Sequence, residues 1–247
     1  MAQSREAIAS AAYLRNEPLS MEQTQDLETL YDGNVAYSDQ LIAEIFGVLE
    51  QEGLLEDTLV VIMSDHGEAF GEHGKFYHTS EPYEELIHVP LVMRAPRRAG
   101  FVRGVIETPV ELVDLAPTFR DLFGLEIDHP LDGKSLAPLL RGDARQRETE
   151  TSIAQNLKTH TMSVRHGASK LILRMDPEFK QVVAYELYDL EADPGETNNL
   201  FQSAEEIEEL MTIATAYLES RGTGEGLSVN EMSDAQAEEL KALGYLQ

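Results

Sequence analysis

The chain contains an uninterrupted apolar run, Thr58-Leu59-Val60-Val61-Ile62-Met63, that stops at Ser64-Asp65-His66-Gly67-Glu68. The run is rich in β-branched residues, and this pattern predicts a strand buried on both faces. In open α/β sheets, ligands bind just beyond the carboxyl ends of such strands. A carboxylate and an imidazole side by side at that point suit a divalent cation, one giving charge and the other a nitrogen lone pair. The competing reading is a polar turn that closes the strand.

Residues 67–78 read Gly-Glu-Ala-Phe-Gly-Glu-His-Gly-Lys-Phe-Tyr-His. The three glycines allow close approach to a ligand, and two histidines and a lysine attract an anion. The next apolar run follows in Tyr83-Glu84-Glu85-Leu86-Ile87-His88-Val89-Pro90-Leu91-Val92-Met93. Taken together, the stretch resembles the metal-binding segment of the sulfatase family, within the alkaline phosphatase superfamily. There a strand ends in S-D-[HN]-G-E, followed by a G-E-H-G turn and a Y-E-E-x-x-x-V-P-L segment. The resemblance implies that Asp65 and His66 are the second pair of ligands of a divalent metal, Ca²⁺, Mn²⁺ or Zn²⁺, with Mg²⁺ also open. Histidine in place of the commoner asparagine tilts the choice toward Mn²⁺ or Zn²⁺. His78 stands thirteen residues after Asp65, where many sulfatases place a lysine against the ester oxyanion and phosphoethanolamine-transferase relatives a histidine. It is the expected catalytic residue. For His73 two roles stay open, structuring the loop or facing substrate. Lys75 is expected to be solvated, and Glu68 to satisfy loop amides.

Acidic residues outnumber basic ones 45 to 19 in 247, a net charge of −26. That excludes a nucleic-acid or anionic-membrane surface, which needs clustered Lys and Arg. An anionic sulfate or phosphate ester then requires locally concentrated positive charge, such as a metal. There is no cysteine, so neither a disulfide nor a thiolate operates here. Residues 1–20 lack the apolar core of a signal peptide, and no window reaches the roughly 18 apolar residues of a membrane span. As written, the chain is expected to be soluble and cytoplasmic.

The expected organisation is an N-terminal segment at 1–20, an α/β core portion at 21–145, an antiparallel-sheet subdomain with a helix at 146–221, and a tail at 222–247. Ser20, with Gln23 three residues on, predicts a capped helix that runs to Gly53. A strand over 89–93 is expected parallel to 58–63. Arg94, Arg97 and Arg98 behind it read as surface arginines. A helix over 110–123 should bury Leu112, Val113, Leu115, Ala116, Phe119 and Leu122, with a kink or an early break at Pro117. Short strand-like runs follow at 151–154, 161–165, 170–175 and 182–190, then an amphipathic helix over 203–221 and a short one over 233–246. The segment Glu186-Leu187-Tyr188-Asp189-Leu190-Glu191-Ala192-Asp193-Pro194-Gly195-Glu196-Thr197-Asn198-Asn199-Leu200 also resembles the sulfatase family, with Asp193-Pro194-Gly195 as turn chemistry. The fold class is therefore α/β: a partial alkaline-phosphatase-like sheet with flanking helices, plus a small C-terminal antiparallel α+β subdomain.

The resemblance covers only the second half of a sulfatase-family enzyme. The first half carries paired Asp and a C-x-P-x-R or S-x-P-x-R segment, whose Cys or Ser becomes formylglycine; neither segment is present here. The expected function is a metal-dependent sulfuric ester hydrolase to which this chain supplies the second half of the metal site, inactive alone. Half a sheet should leave apolar surface for self-association or for the missing half. Were the chain active alone, Ser64, Thr79 or Ser80 would have to attack. Two alternatives stay open. One is a phosphoglycerol- or phosphoethanolamine-transferase-like protein or a phosphonate or phosphodiester hydrolase. The other is a non-catalytic module with a relict site.

Overall fold

Ser20 opens the longest element. Its hydroxyl accepts the Gln23 N–H at 3.2 Å, while Gln23 Oε1 accepts the Ser20 N–H at 2.8 Å. This reciprocal cap satisfies two donors that a helix start otherwise leaves bare. Helix α1 then runs Met21–Gln51 and ends at Glu52 and Gly53, the latter at φ +67°. The computed structural model describes residues 19–78, 81–143, 151–177, 182–201 and 207–221. No residue of α1 is buried. Val35, Ile45 and Val48 on its apolar stripe are 53%, 57% and 58% exposed.

Strand β1 (Val60–Met63) is followed by a miniature hairpin of β2 (Ala69–Phe70) and β3 (Phe76–Tyr77), a one-turn helix α2 (Glu84–Ile87), and β4 (Leu91–Arg94). β1 and β4 are neighbours, as the sequence predicts, but antiparallel: Val60 lies opposite Arg94 and Met63 opposite Leu91. A parallel partner would need a long crossover lying on the sheet face. Among the described residues, 64–90 carry the hairpin and short helical turns but no crossover helix, and the chain doubles back. The expectation that β1 is buried on both faces is also corrected. Among the described residues its sheet has two strands, and Met63 is 40% exposed. Arg94 pairs with Glu56 at 2.9 Å and Arg98 with Asp57, so these arginines brace the turn before β1.

A 3₁₀ turn over Leu112–Asp114 leads into α3 (Leu115–Phe123). Pro117 is the third residue of α3, where a backbone N–H has no helical partner, so of the two expected effects the structure has the early break, between the 3₁₀ turn and α3, and not a kink. The buried face is Leu115, Pro117 and Thr118; Val113 and Ala116, expected inside, are exposed. Helix α4 (Ala137–Leu140) follows.

The C-terminal part is an antiparallel meander of β5 (Thr151–Asn156), β6 (Thr161–His166), β7 (Ser169–Met175) and β8 (Val182–Asp189) in that order, with α5 (Glu208–Ser220) behind it. Alternation along β6 and β7 sends Met162, Val164, Leu171, Leu173 and Met175 to one face, where they pack on Ile207, Leu210 and Ala214. The opposite face presents Lys170, Ile172 and Tyr188 toward Tyr83 and α2. That second face positions the site. The charged stretch beyond Asp143 and the helix expected over 233–246 lie outside the described residues, as do Thr79 and Ser80. No helix among the described residues is long and apolar enough to cross a membrane.

Candidate metal centre

The turn after β1 is fixed by its own backbone. Ser64 Oγ donates to the His66 carbonyl at 2.6 Å, and the His66 N–H donates to Asp65 Oδ1 at 3.1 Å. Ser64 is thus engaged within the turn. His66 Nδ1 lies 2.8 Å from the Gly67 carbonyl, which can only accept, so Nδ1 carries the proton. This bond fixes the ring and turns Nε2 toward Asp65 Oδ2, 3.9 Å away. Two ligands held at ~2.1 Å by a tetrahedral ion lie about 3.4 Å apart, so a small side-chain rotation brings both atoms to one cation. An imidazole anchored through its other nitrogen is the usual support for a metal-binding histidine. The donor set fits a divalent metal. Among the described residues, no group of three or more His, Cys, Asp or Glu converges as a metal cage. Asp65 Oδ2 and His66 Nε2 are the pair of metal-type donors that this turn brings together.

Gly67 seats the turn on α2. Its N–H donates to the Leu86 carbonyl at 2.8 Å, and a Cβ at this position would lie 1.9 Å from the Glu85 carbonyl oxygen. Only glycine permits that approach.

His78 is brought to the same place. Its ring stacks on that of His66 at 4.4 Å, and its Nδ1 lies 3.6 Å from Glu68 Oε2. Glu68 faces His78, rather than filling the amide-satisfying role expected of it. Burial raises the Glu68 carboxyl pKa, and the nearby His78 and His66 only partly oppose the rise. Asp65, His66 and His78 line a cleft of about 980 Å³ together with Gln155, Lys158 and Arg165. Lys75, expected in solvent, keeps an exposed side chain and pairs with Glu81 at 3.4 Å.

The structure answers the open question of His73. Its Nδ1 is 2.9 Å from Glu85 Oε1 and its Nε2 2.9 Å from the Glu196 carbonyl. Both partners are acceptors, so only the imidazolium satisfies both. Burial by itself would lower the pKa, but the bonds to Glu85 and Glu196 and their charges outweigh it and raise it above 6.5. His73 is a structural member of the loop, held at φ +53°.

Sequence reasoning missed what lies beneath. Lys170 is fully buried, with Nζ 2.8 Å from Glu84 Oε1 and 2.7 Å from Glu196 Oε1. Glu196 Oε2 accepts the Glu84 N–H at 2.6 Å. Tyr83 and Tyr188 both donate to Glu186 Oε2, at 2.6 and 2.8 Å. Burial and the Glu186 carboxylate raise both tyrosine pKa values. The available signal was Lys170 on an alternating strand, between Ser169 and an apolar run.

Comparison with known proteins follows this geometry. Residues 8–125 match the sulfatase family model, and residues 71–221 match the model described as N-sulphoglucosamine sulphohydrolase, C-terminal. Arylsulfatase K of Xenopus laevis is 33% identical over 216 residues, covering 81% of this chain and 39% of that protein. A structure solved in complex with its substrate, D-glucosamine-2-N,6-O-disulfate, aligns with TM-score 0.67 at 26% identity, over 87% of this chain and 46% of that one. The phosphonate monoester hydrolase SpPMH of Silicibacter pomeroyi aligns with TM-score 0.67 at 26% identity, over 83% and 42%. The chain thus spans less than half the length of each.

Proposed function

This chain belongs to the sulfatase family, and we propose that it supplies the Asp65–His66 half of a divalent-metal site to a sulfuric ester hydrolase and is inactive alone. The supporting observation is the 3.9 Å approach of His66 Nε2 and Asp65 Oδ2, with the ring held through Nδ1. Asp65 contributes negative charge and His66 a neutral nitrogen. The metal, Mn²⁺, Zn²⁺, Ca²⁺ or Mg²⁺, would lower the pKa of the attacking group and polarise the ester. His78, beside His66 on the cleft wall, is assigned to the leaving oxygen. As an imidazolium it neutralises the charge that develops there and can pass it a proton. The cleft wall from β5 and β6 keeps the anionic ester close to these groups and limits water. A formylglycine nucleophile would have to come from further polypeptide, since this chain has no cysteine and no S-x-P-x-R segment.

The uncovered stripe of α1 and the open edges of the two-stranded β1–β4 sheet support packing against further polypeptide, a complementary half or a second copy. The test is hydrolysis of an aryl sulfate by the purified chain, with and without an N-terminal half that carries paired Asp and the nucleophile. Turnover is expected only with both halves, and Asp65→Ala should remove it without lowering the melting temperature. Turnover by the chain alone, lost in Asp65→Ala, would overturn the proposal. A second reading, phosphonate ester hydrolysis, is favoured by the SpPMH alignment. Parallel assays on an aryl phosphonate separate the two.

A further inference from the structure

We propose that Lys170 and His73 are positioning residues for the Asp65–His66 turn and act on it through α2. The inference rests on the assignment of Asp65 and His66 to the metal. The path is short and continuous. Lys170, on β7, ties Glu196 to Glu84 at the start of α2. His73 ties the Glu196 carbonyl to Glu85 in the same helical turn. The carbonyls of Glu85 and Leu86 are the two groups against which Gly67 is seated. Gly67 in turn accepts the proton of His66 Nδ1.

A buried ion pair is weak evidence for stability, because desolvation offsets most of its attraction. Lys170 is fully buried against two carboxylates, where replacing the whole cluster by well-packed apolar residues would serve stability equally well. What charge adds here is direction. A buried ammonium with two fixed acceptors tolerates one placement of Glu84 relative to the sheet. A one-turn helix cannot hold its own position, since a single turn is below the length at which helices are stable. α2 therefore takes its position from Lys170 and His73, and the turn at Gly67 takes its position from α2.

The test is nuclear magnetic resonance on the 247-residue chain carrying Lys170→Met, His73→Gln or Glu85→Gln. In His73→Gln and Glu85→Gln, exchange of the Gly67 amide should accelerate about tenfold or more, with the β6–β7 ladder amides unchanged. The His66 ring nitrogen signals should shift as well, reporting loss of the fixed tautomer. Lys170→Met should do the same where it folds; if it unfolds, the other two variants decide. Unchanged Gly67 exchange and His66 signals would overturn the inference, as would parallel acceleration of every amide. Adding Mn²⁺ to the wild-type chain separates the two proposals. If His66 is not broadened while the variants behave as expected, the metal assignment fails and the positioning role stands.

Discussion

The imidazole of His73 lies flat on the ring of Tyr83, with centroids 3.7 Å apart and planes within 3° of parallel. A cation over an aromatic face is favourable, most so where water is excluded. Tyr83 in turn donates to Glu186 on the C-terminal sheet. The loop that follows the metal turn thus rests on an aromatic ring that the sheet itself holds.

The charge on His73 makes stability depend on pH. Its pKa is raised above 6.5 in the folded chain, so the contribution is fully present below the unfolded value and is lost as pH rises through the folded value. Urea midpoints from pH 6 to 9 should fall for the wild type, with a slope from this group of at most ~1.4 kcal/mol per pH unit. His73→Gln should be flatter across the same window. Identical slopes in the two proteins would refute the assignment.

Lys170→Met leaves the partly buried Glu84 and the fully buried Glu196 without their cation. A loss of about 3–5 kcal/mol is expected from urea denaturation. Adding Glu196→Gln should recover part of that loss, because one uncompensated charge is removed. Strict additivity of the two losses would argue against a coupled cluster.

Gly67→Ala and Gly33→Ala should have opposite signs. A Cβ at Gly67 meets the Glu85 carbonyl oxygen at 1.9 Å, and backbone cannot yield cheaply, so a destabilisation of about 1–3 kcal/mol is expected. Gly33, inside α1, has nothing within 4 Å, and alanine there should stabilise by about 1 kcal/mol. Thermal melts of both variants check this.

The bare stripe on α1 should drive association despite a net charge of −26. Sedimentation is expected to show dimers or larger species. Val35→Glu with Ile45→Glu, both more than half exposed, should shift the population to monomer with the circular dichroism spectrum unchanged. A wild-type chain that sediments as a stable monomer would count against this surface as an interface.

Local signals carried well in this sequence. The Ser20–Gln23 cap, the strand stop at Ser64 and the alternating strands over 151–190 are all written within a few residues of where they act. The stacked pair His66 and His78 follows from one loop. The direction of β4 was not legible, because an apolar run reads alike in either sense and only the connection decides. Pro117 left a kink and an early break both open for a related reason: its effect depends on where the helix begins. The Lys170 cluster was illegible because its members come from positions 84, 170 and 196, and nothing local announces that a lysine on a strand will find two carboxylates.

Lys170 also constrains how the sheet can assemble. Side chains alternate between faces along β7, so a slip of one residue would carry Lys170 into the apolar layer beside Leu171 and Leu173 and away from Glu84 and Glu196. A lone ammonium there has no partner, and the cost would fall on the mispaired sheet alone. The buried lysine thus acts as a register key: a sheet that pairs correctly is also one that presents its cation to the turn above. Correct folding of the C-terminal part and correct shape of the metal turn become a single condition, although the two segments are about a hundred residues apart.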